Sequence, residues 1–178
     1  MSLKEQVREA ERAVVSAIKN VGERATEADI LATLKSEHNE VKRLLTELQQ
    51  ADIAVERTGL VRQITAALVP HSVAEEKIVY AAVIAFSDPQ AQIDGYEGTL
   101  EHEWAAKTLE RLAAIGDSTS AEHRATAKVL KELVEHHIKE EERNIWLDVR
   151  KYCSSDERAR LNTLYLAQKH RARVSSAD

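Results

Sequence analysis

Two stretches of this chain each place a glutamate four residues after a histidine. Leu68-Val69-Pro70-His71-Ser72-Val73-Ala74-Glu75-Glu76 aligns with Leu133-Val134-Glu135-His136-His137-Ile138-Lys139-Glu140-Glu141. On a helix, positions i and i+4 share a face, one turn apart. An imidazole nitrogen and a carboxylate oxygen spaced this way can hold one cation, or the carboxylate can bridge two. The second copy has adjacent histidines and adjacent glutamates, so His136–Glu140 and His137–Glu141 both have the required spacing. The alignment selects His136 with Glu140, as does a stripe through Leu133 and Leu147. His137 lies about a third of a turn away.

These residues need helices, and the periodicity is helical nearly throughout. Leu3, Val7, Ala10, Val14, Ile18 and Val21 mark a first helix that Gly22 ends. Thr26 opens a second, with Ile30, Leu31, Leu34, His38, Val41, Leu45 and Leu48 on one face. The pattern weakens from Asp52 to Gly59, which predicts a turn. A third helix is expected over residues 60–86, with Pro70 kinking it. A fourth starts at Pro89 or Gly98 and ends before Gly116. A fifth is expected over 120–152, and a last one, capped at Ser154-Ser155-Asp156, runs to about Arg171. Four long helices with short connections predict an all-α, up-down-up-down four-helix bundle. Its expected bounds are 26–152, with a peripheral helix over 1–25 and a peripheral C-terminal helix and tail over 153–178. In that arrangement His38 and His102 also lie on inner faces. Four histidines and two carboxylates left unpaired in a bundle core would be costly, and a pair of metal ions offsets that cost.

Composition narrows the function classes. The chain has 178 residues, 25 Lys+Arg against 30 Asp+Glu, and a formal net charge of -5. That balance argues against a nucleic-acid surface. Only 5 Gly and 2 Pro argue against a turn-rich sheet fold. One cysteine, Cys153, excludes an internal disulfide and a thiolate-cluster metal site. No stretch is apolar for the length of a membrane span, and the N-terminus has no apolar signal core, so the expected compartment is the cytoplasm.

The pattern excludes two other metal families. Ferritin-like carboxylate bundles use Glu-x-x-His. The residues three before the seven histidines are Lys35, Leu68, Thr99, Ser120, Leu133, Val134 and Ala167, none of them Glu. A zinc protease needs His-Glu-x-x-His, and His102-Glu103-Trp104-Ala105-Ala106 lacks the second histidine. A histidine-rich site suits iron better than magnesium or calcium, while ligand type alone leaves zinc and manganese open.

His38, His71-x-x-x-Glu75, His102 and His136-x-x-x-Glu140 together resemble the bacterial hemerythrin-like (HHE cation-binding) family, over about Asp29 to Tyr152. The resemblance implies a four-helix bundle with a non-haem di-iron centre. Glu75 and Glu140 would bridge the irons, and His38, His71, His102 and His136 would ligate them terminally. Oxygen-carrying relatives have a fifth histidine where this chain has Ala106. That departure favours reaction with oxygen, peroxide or nitric oxide over simple reversible oxygen carriage. The expected ligand is therefore a diatomic molecule or peroxide, with no nucleic acid and no membrane. A protein partner or a second copy would engage the terminal helices. The alternative is an iron- or oxygen-sensing or interaction module without turnover. Iron donation to damaged iron–sulfur proteins is less favoured, because the cysteine-rich extension of such relatives is absent. His123 and His170 read as surface residues, Tyr80, Tyr96, Trp104 and Trp146 as packing or rim residues, and Glu76 and Glu141 as pointing off the central face.

Overall fold

The computed structural model describes residues 28–175. The expected first helix lies outside the described residues. Those that are described form helices joined by short connections, with no strand among them. Helix α1 spans Ile30–Gln50. The Asp29 carboxylate accepts from the Leu31 N–H at 2.9 Å and so satisfies a free donor of the first turn. Helix α2 spans Ala54–Glu75. It begins inside the expected turn, six residues before the expected start at Leu60, because Arg57, which reads as polar in the sequence, points inward and is 1% exposed. Its guanidinium donates to the carbonyls of Leu48, Ala51 and Ser118. The side chain therefore ties the end of α1 to the start of α2.

Helix α2 continues through Pro70. It passes into a π-helical turn over Glu76–Tyr80 and then a short helix α3 over Ala81–Ile84. Such π turns insert an extra residue and re-aim the side chains around them. Helix α4 spans Pro89–Ala114, capped by Asp88. Gly98 on α4 makes room for the π turn, since a Cβ there would lie 2.9 Å from the Tyr80 ring. Helix α5 spans Ala121–Arg143 with Ser120 as its cap. The single helix expected over 120–152 breaks at Asn144, and α6 resumes over Ile145–Tyr152. Helix α7 spans Ser155–Ser175.

Helices α1, α2, α4 and α5 meet in adjacent pairs: α1 with α2 and α5, and α4 with α2 and α5. The buried apolar residues form two separate clusters. One holds Leu34, Val79, Ile145 and Tyr165, and the other Leu45, Ile64, Leu109 and Leu130. Each fully buried aliphatic side chain contributes about 1.5–3 kcal/mol. Between the clusters lies a polar layer. His38 follows Leu34 of one cluster and precedes Val41 of the other, and His71 lies between Leu68 and Ala74 in the same way. Helix α7 was expected as peripheral. It packs along α2, α1 and the π turn, and it buries Leu161 and Tyr165 completely. No helix among the described residues is long and apolar enough to cross a membrane.

Candidate metal centre

Four helices each send one histidine into the polar layer: His38 from α1, His71 from α2, His102 from α4 and His137 from α5, all at most 5% exposed. Each is held from outside by a carboxylate at its Nδ1. His38 faces Glu142 at 3.1 Å, His71 faces Glu37 at 3.0 Å, His102 faces Glu76 at 3.0 Å and His137 faces Glu101 at 2.8 Å. An ionised carboxylate only accepts, so each Nδ1 carries the proton. That fixes the ring and turns the Nε2 lone pair of a neutral imidazole inward.

The four Nε2 atoms converge on Glu75 and Glu141, which are 0% and 1% exposed. His71 Nε2 lies 3.1 Å from Glu75 Oε2, and His102 Nε2 lies 3.5 Å from the same oxygen. His38 Nε2 is 3.2 Å and His137 Nε2 3.7 Å from Glu141 Oε2. His102 Nε2 and His137 Nε2 are 3.0 Å apart. His38 Nε2, Glu75 Oε1 and both oxygens of Glu141 have no hydrogen-bond partner with suitable geometry. Buried acceptors facing acceptors are costly, and a cation is the group that satisfies them together. Two overlapping sets have ligand atoms within 4.8 Å of one another: His38, His71 and Glu75, and Glu75, His102 and His137. The donor set of imidazole and carboxylate fits iron.

The electrostatics agree. Burial and the neighbouring Glu141 carboxylate push the Glu75 carboxyl well above its ordinary range. Burial also works to raise Glu141, but the close approach of His38, whose charged form Glu141 in turn favours, outweighs it and holds Glu141 low. Burial, then the neighbouring His137 and His71 rings, push His102 well below the usual imidazole value. Two buried carboxylates this close need a proton or a cation between them.

Comparison with known proteins places this geometry. Residues 29–146 match the hemerythrin HHE cation binding domain, which is more than half of the chain. The chain belongs to the hemerythrin HHE cation-binding family. It is also similar to a protein from Nostoc sp. (strain PCC 7120 / SAG 25.82 / UTEX 2576) named DNA nickase, at 28% identity over 141 residues. That alignment covers 79% of this chain but only 39% of the relative's length. No solved structure matches the chain.

The HHE pattern runs through His38, His71, Glu75 and His102 as expected, but its last pair is one residue later than the internal alignment selects. The His136 side chain is 63% exposed and meets Glu101 on the surface at 3.4 Å. Glu140 pairs with Arg143 and accepts from Asn144 Nδ2 at 3.3 Å, outside the polar layer. His137 and Glu141 take the inner positions instead. A one-residue step rotates a side chain by about 100° around a helix, so the two registers face different surroundings. The inner face of α5 is Ala127, Leu130, Val134, His137, Ile138 and Glu141. Leu147, which helped to define the other stripe, is 59% exposed. The sequence holds the correcting signal: Ala127, Leu130, Val134, Ile138, Glu141 and Ile145 recur at steps of three or four.

One further reading changes, that of His123. Of the residues expected to pack or to line the rim, Tyr80 packs: it is fully buried in this HHE domain. Its hydroxyl lies 3.3 Å from His137 Nε2, 3.5 Å from His102 Nε2 and 3.5 Å from Glu75 Oε2. His123 is not a surface residue: it is 2% exposed, with Nδ1 3.0 Å from the Arg57 guanidinium. Trp146 does pack, stacking on His38 with ring centroids 5.8 Å apart. His170 is exposed as expected. Burial pushes the Cys153 thiol up to about 11, so it is no activated thiolate. Ala106 lines a cleft of about 330 Å³ between α2 and α4, together with Leu68, Ser72, Glu76, His102 and Leu109.

Proposed function

We propose that this chain is a di-iron protein that binds or reacts with a small oxidant: oxygen, peroxide or nitric oxide. Its long helices run up-down-up-down as a four-helix bundle. His38 and His71 would hold one iron and His102 and His137 the other, with Glu75 and Glu141 supplying the carboxylates. The observation that carries the reading is the polar layer itself: four buried Nε2 atoms aimed at two buried carboxylates, each ring fixed from outside by a further glutamate. A bound iron pair supplies redox-active metal with exchangeable positions.

The chain's own residues supply the rest. The two apolar clusters above and below the layer keep water out. The cleft at Ala106, where a larger residue would stand in oxygen carriers, offers a small molecule a way to His102. Tyr80 Oη holds a proton 3.3 Å from His137 Nε2, where a bound oxidant could receive a hydrogen bond. Elemental analysis and a visible spectrum of the anaerobically reconstituted chain test the reading. About two irons per chain and sustained peroxide consumption support it. Two irons without turnover favour the sensing alternative, and no iron refutes both.

The Nostoc relative supports a second reading, metal-dependent DNA strand scission, through the alignment that covers 79% of this chain. Supercoiled plasmid incubated with the iron-loaded chain, without oxygen or peroxide, separates the two. Nicked circles support the second reading, and intact plasmid refutes it.

A further inference from the structure

The four histidines are alike in orientation but unlike in support. Helix α7 lies beyond the family-matched residues 29–146. It packs along α1, α2 and the π turn, and so on the His38/His71 half of the centre. Tyr165 on α7 is fully buried. Its hydroxyl donates to Glu37 Oε2 at 2.6 Å and lies 3.0 Å from His71 Nδ1. The tyrosine ring meets the His71 ring edge-on, with centroids 6.3 Å apart. One turn later, Lys169 pairs with the same Glu37 oxygen, and its side chain is only 9% exposed. A lysine ordinarily carries its ammonium to water along its flexible stem. Here the stem delivers the charge inward, to one carboxylate.

The other three outer carboxylates have no such support. Glu142 pairs with Lys35, whose side chain is 46% exposed. Glu101 adds only the exposed His136. Glu76 is the most open of the four, with a side chain 36% exposed. Among the described residues, only Glu37 meets a buried cation.

Building on the di-iron reading, we propose that α7 is a working part of the metal centre. Tyr165 and Lys169 are positioning residues that lock Glu37, and through it His71, so that the His38/His71 position releases its metal more slowly than the His102/His137 position. A ring leaves a metal by rotating away, and His71 cannot rotate without breaking its bond to an anchored carboxylate. Outer partners of this kind typically change metal affinity by about 10–100-fold.

The test uses the full chain, loaded anaerobically with two equivalents of iron(II) and mixed with excess chromogenic chelator. The wild type should release iron in two phases of equal amplitude. Tyr165→Phe keeps the buried ring and removes only the hydroxyl. Lys169→Met keeps the stem and removes the charge. Each should speed the slow phase by about 10–100-fold and leave the fast phase unchanged. Lys169→Arg should restore the slow phase. A single phase in the wild type, equal acceleration of both phases, or no change in either variant overturns the role of α7. A wild-type chain that takes up no iron refutes the metal centre itself.

Discussion

Replacing His137 and His136 one at a time decides the register of the centre. His137 is 5% exposed, its Nδ1 is held by Glu101 at 2.8 Å, and its Nε2 faces His102 and Glu141. His137→Ala removes one inward ligand. Structural zinc sites gain roughly 10–16 kcal/mol from four ligands. By that scale one ligand is worth about 3 kcal/mol, or roughly 100-fold in affinity. With metal in excess, a 100-fold loss removes about 2.7 kcal/mol of metal-linked stabilisation. For a domain of this size the loaded protein should melt about 5–11 °C lower. Subtracting the metal-free melt cancels the cavity that the alanine leaves. His136 has a 63% exposed side chain, and its contact with Glu101 is a surface pair worth at most about 1 kcal/mol. That contribution is present with and without metal, so His136→Ala should leave the difference between the melts, and the iron content, unchanged. Two irons retained by His137→Ala, or iron lost from His136→Ala, would refute this register and restore the His136–Glu140 pair.

Three other outcomes are expected. Tyr80→Phe keeps the ring against Gly98 and removes only the hydroxyl; iron content should hold while peroxide consumption falls about 10²-fold, as for loss of a positioned proton donor. Unchanged turnover would remove Tyr80 from the chemistry. Arg57→Met strands the carbonyls of Leu48, Ala51 and Ser118; urea unfolding should show a loss of about 2–4 kcal/mol with the iron content of the folded protein intact. His123 titrates low in the folded chain because burial, then Arg57 and Arg124, disfavour its charge, while Asp117 opposes them only weakly. The unfolded state therefore takes up the proton first. The contribution of His123 is complete above about pH 6.5 and is lost as the pH falls through that value. Urea midpoints between pH 7.5 and 5.5 should fall less steeply in His123→Gln than in the wild type, and identical slopes would refute the assignment.

The helices were legible because apolar residues recur at helical steps, and four of the six expected ligands, His38, His71, Glu75 and His102, stand where that pattern puts them. His136 and Glu140 lie outside the polar layer instead, because two adjacent histidines and three adjacent glutamates satisfy the same spacing twice. Leu68 invited alignment with Leu133, yet its structural counterpart three residues before the inner histidine is Val134, which is 2% exposed. Arg57 hid the start of α2, since a charged residue breaks an apolar pattern even when hydrogen bonds let it point inward. Tyr80 reads in the sequence as packing or rim, and which of the two it is depends on the π turn, which shifts the register after Glu75. The hold of Tyr165 and Lys169 on Glu37 joins residues more than a hundred positions apart. No local spacing encodes such a contact.

The same burial that makes this layer costly prepares it for a cation. Without metal, the chain neutralises part of the layer and pairs the rest: the Glu75 carboxyl is driven up by burial and by Glu141, the His102 ring is driven down by burial and by His137, and Glu141 is held low beside His38. The first two shifts favour the uncharged form, so folding does not have to carry every charge in an apolar interior. The carboxylates and the inward-facing rings would together hold a divalent ion, which would supply the compensating positive charge, while the outer glutamates keep those rings aimed. A monovalent ion would leave more of the carboxylate charge uncompensated, and an all-oxygen site would leave the four rings without a role. The arrangement therefore selects a multivalent, nitrogen-accepting metal through its charge and donor set together, and its apolar layers on either side make that binding part of the stability of the fold.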